Sequence, residues 1–71
     1  MTIQQKIQMA MTYAKVTQED MAKALGVTQG TFSQRLKTGK FSDSDFEIIA
    51  NTLKAKYISG FEFEDGTKIG Y

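Results

Sequence analysis

The sequence predicts one mainly α-helical domain, residues 1–71, with a small β element at its C-terminus. Three observations predict this class. Apolar residues recur at helical spacing in four segments up to about residue 55. Each segment opens with a hydroxyl side chain suited to cap a helix. After residue 56 the apolar residues alternate with polar ones, as they do in a strand. Because the connections between segments are short, we expect a compact bundle of helices.

The first two helices are predicted over about residues 2–15 and 17–25. The apolar face of the first consists of Ile3, Ile7, Ala10, Met11 and Ala14. In the second, Thr17 can cap the first backbone N–H groups, and Asp20 occupies the third helical position, where a carboxylate interacts well with the helix dipole. Gly26 supplies the left-handed residue that commonly ends a helix.

The third and fourth helices are predicted over about residues 28–37 and 44–55. Thr28 is the expected cap of the third helix, and Phe32 and Leu36 form its buried pair one turn apart. At the start of the fourth, the run Ser-Asp-Phe-Glu at residues 44–47 matches a capping box. The apolar face that follows consists of Phe46, Ile49, Ala50 and Leu53.

The tail, about residues 57–71, is predicted to form a β-hairpin, or at least one strand. Asp65-Gly66 is a strong turn signal. A three-residue loop over residues 64–66 sets Glu62 opposite Lys68, and it sets apolar Phe61 opposite apolar Ile69. A two-residue loop would mix charged with apolar partners. We therefore expect the register of the three-residue loop.

The composition excludes several classes of function. The chain has no Cys and no His, so disulfides, thiolate chemistry and the usual zinc sites are excluded, and we expect no metal and no cofactor. No apolar run approaches the roughly 18 residues of a membrane span, and the N-terminal residues lack the hydrophobic region of a signal peptide. We expect a cytoplasmic protein without membrane contact. The acidic residues cluster at helix starts and in the hairpin, so an enzyme is the least expected class.

The net charge of +1 hides a strong asymmetry along the chain. Residues 1–41 carry six basic and two acidic side chains, whereas residues 42–71 carry three basic and six acidic ones. This division predicts one surface suited to an anionic partner. Taken alone, the charge pattern leaves a merely solvated surface equally open.

The segment from residue 17 to residue 40 carries the clearest functional pattern. Two short helices are joined at Gly26, and the outward positions of the second of them are short or amide-bearing polar residues. A Gln amide can pair with adenine through two hydrogen bonds, and Ser or Thr hydroxyls reach bases or phosphates. Gly30 removes a side chain where the backbone could approach a partner. For any one residue a plain solvated helix stays open, but the combination favours DNA.

The pattern in this segment is Thr17-Gln18-x-x-Met21-Ala22-x-x-Leu25-Gly26-Val27-Thr28-Gln29-x-Thr31-Phe32-Ser33. It resembles the Cro-type (XRE-like) helix-turn-helix proteins of phages and bacteria, over roughly residues 2–55. The resemblance implies a lambda-repressor-like four-helix domain. It also implies sequence-specific binding of double-stranded DNA by a transcriptional regulator, expected to be a repressor.

The resemblance, together with the chemistry of the Ser and Thr hydroxyls, predicts roles for individual residues. The residues expected to read bases are Gln29, Thr31, Ser33 and Gln34. The residues expected to contact phosphates are Gln18, Thr28, Arg35, Lys37 and Lys40. Two alternatives stay open for Arg35, a phosphate contact or an ion pair within the chain. Gly30 departs from the family pattern, because that position often carries a side chain that reads a base.

The tail resembles the C-terminal strand with which Cro-type proteins pair with a second subunit. This resemblance implies a homodimer on a palindromic operator, with Phe61, Phe63 and Ile69 at the dimer interface. The alternative is that these three side chains cover the chain's own helical core. A second reading of the whole chain is a protein-binding module, an antirepressor or antitoxin-like partner that uses the Phe-rich strand as its interface.

Overall fold

The computed structural model describes residues 2–58 and 60–70, and within them four helices are followed by a three-stranded antiparallel sheet. The elements are α1 (Ile3–Ala14), α2 (Gln18–Leu25), α3 (Gln29–Thr38), α4 (Asp43–Leu53), β1 (Ala55–Tyr57), β2 (Phe61–Phe63) and β3 (Lys68–Ile69). The predicted class, mainly helical with a small C-terminal β element, is confirmed. The predicted tail also included Ser59 and Tyr71, which lie outside the described residues.

Each helix begins behind a hydroxyl side chain that accepts a backbone N–H three residues ahead. Thr2 caps α1, and Thr17 and Thr28 cap α2 and α3, as predicted. The predicted cap of α4 was wrong. Ser42, not Ser44, accepts the N–H of Asp45 at 3.1 Å, and the Asp45 carboxylate accepts the Ser42 N–H at 3.1 Å. Because residues 42–45 form a complete capping box, α4 starts earlier than residues 44–47 had suggested.

The sheet differs from the predicted hairpin by one additional strand. The predicted pairing of β2 with β3 is confirmed, with Phe61 opposite Ile69 and Glu62 opposite Lys68. However, α4 ends at Leu53, and β1 follows where the helix had been expected to continue to residue 55. The chain then reverses, so Tyr57 lies opposite Phe61 in the neighbouring strand and does not precede it in the same strand. The alternation of apolar residues is kept across the reversal, which is why one strand had been predicted.

One apolar core joins all four helices to the sheet. Its buried members are Ile7, Ala10, Met11, Met21, Ala22, Phe32, Leu36, Ile49, Ala50, Leu53, Phe61 and Phe63. The predicted pair in α3, Phe32 and Leu36, is among them. Among the described residues, no helix combines the length and the apolar character of a membrane span.

A row of aromatic rings runs through this core from α3 to the sheet. Successive ring centroids are 6.2, 5.7, 4.6 and 5.1 Å apart, in the order Phe32, Phe41, Phe46, Tyr57 and Phe61. These separations allow edge-to-face and offset contacts between neighbouring rings. The tail of the chain therefore supports the helix that carries the candidate functional residues.

Candidate nucleic-acid interface

The junction between α2 and α3 spans only residues 26–28 and has a defined geometry. Gly26 has a φ of +73° and donates its N–H to Lys23, while the Val27 N–H is bonded to the Ala22 carbonyl at 3.0 Å. These bonds satisfy carbonyls at the end of α2. Val27 is half-buried against the core, and Thr28 caps the next helix. The short connection therefore fixes the direction in which α3 leaves α2.

α3 has one buried side and one exposed side. Phe32 and Leu36 are buried, and Ser33 and Arg35 are half-buried. We call the exposed residues the outer face of α3; they are Gln29, Gly30, Thr31, Gln34, Lys37 and Thr38. Of the four residues expected to read bases, three belong to this outer face. The exception is Ser33, which lies closer to the core.

Two hydroxyl groups at the start of α3 are bonded to each other. The Thr28 hydroxyl accepts the Thr31 N–H at 3.1 Å and donates its hydrogen to the Thr31 Oγ1 at 2.9 Å. The hydroxyl hydrogen of Thr28 is thus engaged with Thr31, and the expected contact of Thr28 with a phosphate stays a prediction. The Thr31 hydroxyl accepts from Thr28, so its own hydrogen can be donated to a group outside the protein.

Arg35 forms an ion pair with the start of α4. Its Nη1 lies 3.6 Å from Asp45 Oδ2, and the two side chains are 37% and 22% exposed. Of the two roles that the sequence left open for Arg35, the structure shows the ion pair. The same Asp45 oxygen accepts the Ser42 N–H, so one carboxylate both caps α4 and holds the Arg35 guanidinium.

The remaining residues expected to contact phosphates lie at the two ends of the α2–α3 segment. Gln18 is half-buried at the first position of α2, while Lys37 and Lys40 are exposed near the end of α3. Within the described residues, neither lysine lies within ion-pair distance of an acidic side chain. Both ammonium groups therefore face solvent, where an anionic partner can reach them.

The Phe residues of the tail do not form an exposed surface. Phe61 is fully buried and Phe63 is 8% exposed, both within the chain's own core, and Ile69 is partly buried against it. This is the alternative that the sequence left open for the three residues expected at a dimer interface. Since Phe61 and Phe63 fill the core between sheet and helices, they are not available to a second subunit.

The sequence analysis missed a polar link between α1 and the hairpin. The Tyr13 hydroxyl donates to Asp65 Oδ2 at 2.5 Å and lies 3.1 Å from Thr67 Oγ1. Hydrogen bonds from Tyr13 and from Thr67 lower the pKa of Asp65 below its ordinary value of 3.8. The sequence identified Asp65 only as a turn residue, because no local pattern indicates a contact between two residues that are 52 positions apart.

Apolar side chains near this link were missed as well. Met9 and Tyr13 are 48% and 44% exposed, and together with Ile69 they line a shallow groove between α1 and β3. Their spacing of four residues on α1 places them on one side of the helix, which was the available signal.

The described residues contain no group of three acidic side chains placed to hold a metal ion. Comparisons of this chain with protein-family models, with curated proteins and with solved structures give no match.

Proposed function

We propose that the protein binds double-stranded DNA sequence-specifically, with α2 and α3 acting as a helix-turn-helix within a lambda-repressor-like domain. The observation that carries this proposal is the outer face of α3, which offers amide and hydroxyl groups and no acidic side chain. Residues 21–42 contain four basic and no acidic residues. An ordinary solvated helix would more commonly mix both charges. As part of this proposal, the protein acts as a repressor of transcription.

In this proposal α3 enters the major groove with its outer face against the bases. The major groove is about 12 Å wide and admits an α-helix. The amides of Gln29 and Gln34 read base edges, and the Thr31 hydroxyl donates to an acceptor. Lys37 and Lys40 lie beside the phosphate backbone, and Gln18 contacts a phosphate at the start of α2. The buried pair on the opposite side of α3 holds the helix against the core while its outer face is in the groove.

Selection from a random pool of duplexes at moderate salt, followed by footprinting, tests the proposal. The variant Q29A/Q34A should lose at least about 30-fold in affinity for the selected site, since each well-placed amide pair discriminates by roughly 1–3 kcal/mol. Its affinity for unrelated DNA should change little. A matched control is Q8A/N51A, which removes two exposed amides from α1 and α4. Failure of the pool to enrich any motif would refute sequence-specific binding.

The phosphate contacts are tested separately by the dependence of affinity on salt. Each phosphate contact adds about 0.9 to the slope of log affinity against log salt concentration. The variant K37Q/K40Q should therefore lower that slope by about 1.8. It should weaken binding to selected and unrelated duplexes alike. A slope equal to that of the wild type would show that neither lysine contacts a phosphate.

A homodimer on a palindromic operator is part of the proposal, but it cannot use Phe61 or Phe63. Of the three residues expected at the interface, Ile69 is the one left partly exposed. Sedimentation equilibrium with a two-half-site duplex should give two chains per duplex, and one chain per duplex would contradict dimeric binding.

The antirepressor or antitoxin-like reading needed the same Phe-rich strand as its interface, and the burial of both Phe side chains disfavours it.

A further inference from the structure

Gly30 has no structural reason to be glycine within the chain itself. It is the second residue of α3, it is exposed, and its φ is not among the positive values. Apart from its two chain neighbours and the nearby backbone of α3, a Cβ added to it would meet no heavy atom within 4 Å. Gly26 differs, because its φ of +73° favours glycine at the turn. In a helix glycine is less favourable than alanine, so Gly30 lowers the stability of the free protein.

The missing side chain lies in the first turn of α3, on its outer face. Positions four and seven residues apart fall on one side of a helix, so Gly30 is aligned with Gln34 and Lys37. The neighbouring residues Gln29 and Thr31 are also exposed and carry side chains. Because Gly30 carries no side chain, we expect a depression there about as large as the methyl group of an alanine, with the Gly30 Cα at its base.

We propose that Gly30 marks the closest approach of α3 to the DNA and that the depression receives the 5-methyl group of a thymine. The inference rests on the proposed DNA-binding function. In the major groove, the 5-methyl of thymine is the apolar group, whereas the other base-pair edges present hydrogen-bond donors and acceptors. An amino group pressed against the Gly30 Cα would lose water without gaining an acceptor. Size and polarity therefore both match a methyl group.

The first test is G30A, for which stability and affinity should change in opposite directions. Alanine should raise the melting temperature by about 2–8 °C, since it favours the helix and contacts nothing in the free protein. Affinity for the selected duplex should fall at least tenfold, because the added methyl occupies the place of the thymine methyl. The matched control is S44A, which changes the equivalent second position of α4 and should leave affinity unchanged. A G30A protein that is less stable, or that binds as tightly as the wild type, would overturn the proposal.

The second test replaces each thymine of the selected duplex in turn by deoxyuridine, which lacks the 5-methyl group. At one position the wild type should lose about fourfold in affinity, the loss expected for one buried methyl. At that same position G30A should bind the deoxyuridine duplex more tightly than the thymine duplex. If no position rescues G30A, the methyl assignment is wrong. Sequence-specific binding by the wild type would still stand in that case, so this failure is distinct from failure of the proposed function.

Discussion

The ion pair between Arg35 and Asp45 allows a direct test of which role Arg35 has. The perturbation is a double-mutant cycle of R35Q, D45N and R35Q/D45N. Asparagine at position 45 keeps a side-chain oxygen that can accept the Ser42 N–H, so the cap of α4 is retained while the charge is removed. The cycle therefore isolates the interaction between the two side chains.

The structure sets the expected magnitude of this interaction. The separation of 3.6 Å is too long for a hydrogen bond, and both side chains are partly exposed. Pairs of this kind couple by about 0.2–1 kcal/mol in the free energy of unfolding. In roughly 1 M salt, where the screening length is about 3 Å, the coupling should fall to less than half. Urea unfolding of the four proteins at low and high salt measures both values. Absent coupling at low salt, or coupling that salt leaves unchanged, would refute an ion pair in solution.

The same variants report on DNA binding. If Asp45 holds Arg35, R35Q should lower the salt slope of DNA affinity by much less than the roughly 0.9 expected for one lost phosphate contact. K37Q should lower it by about that full amount. An equal fall in both variants would show that Arg35 leaves Asp45 and contacts a phosphate in the complex.

Two further predictions concern the stability of the fold. G26A should destabilise the protein by about 1–2 kcal/mol, the cost of a left-handed conformation for an L-residue. We expect no further cost from steric contacts, because the space around the added Cβ is open. Urea unfolding measures the change, and an unchanged free energy of unfolding would contradict the prediction. Y13F should lower stability near neutral pH, because it removes the hydrogen bond that contributes most to lowering the pKa of Asp65. Because the pKa of Asp65 is lower in the folded protein, its carboxylate stabilises the fold at pH values above the ordinary pKa of 3.8. This stabilisation is lost as the pH falls through the lowered pKa. The difference between Y13F and wild type should therefore narrow below pH 3.8, and a gap that stays constant with pH would contradict it.

The helices were predictable because the signals that start and stop them are local. Thr17 caps α2 through a bond to a residue three positions ahead, and Gly26 ends α2 through bonds within the last turn. The start of α4 shows where local signals become ambiguous. Both Ser42 and Ser44 are followed three residues later by an acidic residue, so the capping-box pattern allows either start.

The sheet and the polar links depend on partners that are distant in sequence. β1 begins at Ala55, a residue without strand preference, and it is a strand because its backbone pairs with β2. The bond from Tyr13 to Asp65 and the ion pair from Arg35 to Asp45 arise only once the helices have packed. For Arg35 the sequence therefore left two roles open, and the structure supplies the partner that distinguishes them.

The contacts of α3 explain why the tail of this chain is rich in Phe. Only Phe32 and Leu36 of this helix are buried, so α3 alone contributes little to the core. The position of α3 therefore depends on the side chains that surround those two residues. Phe32 packs against the ring of Phe41, and this pair is the first contact of the aromatic row that ends at Phe61 in β2. In so short a chain, the buried fraction of the surface is small and each such contact matters more. The Phe-rich strand is thus used inside the protein, where it supports the helix that we propose reads DNA.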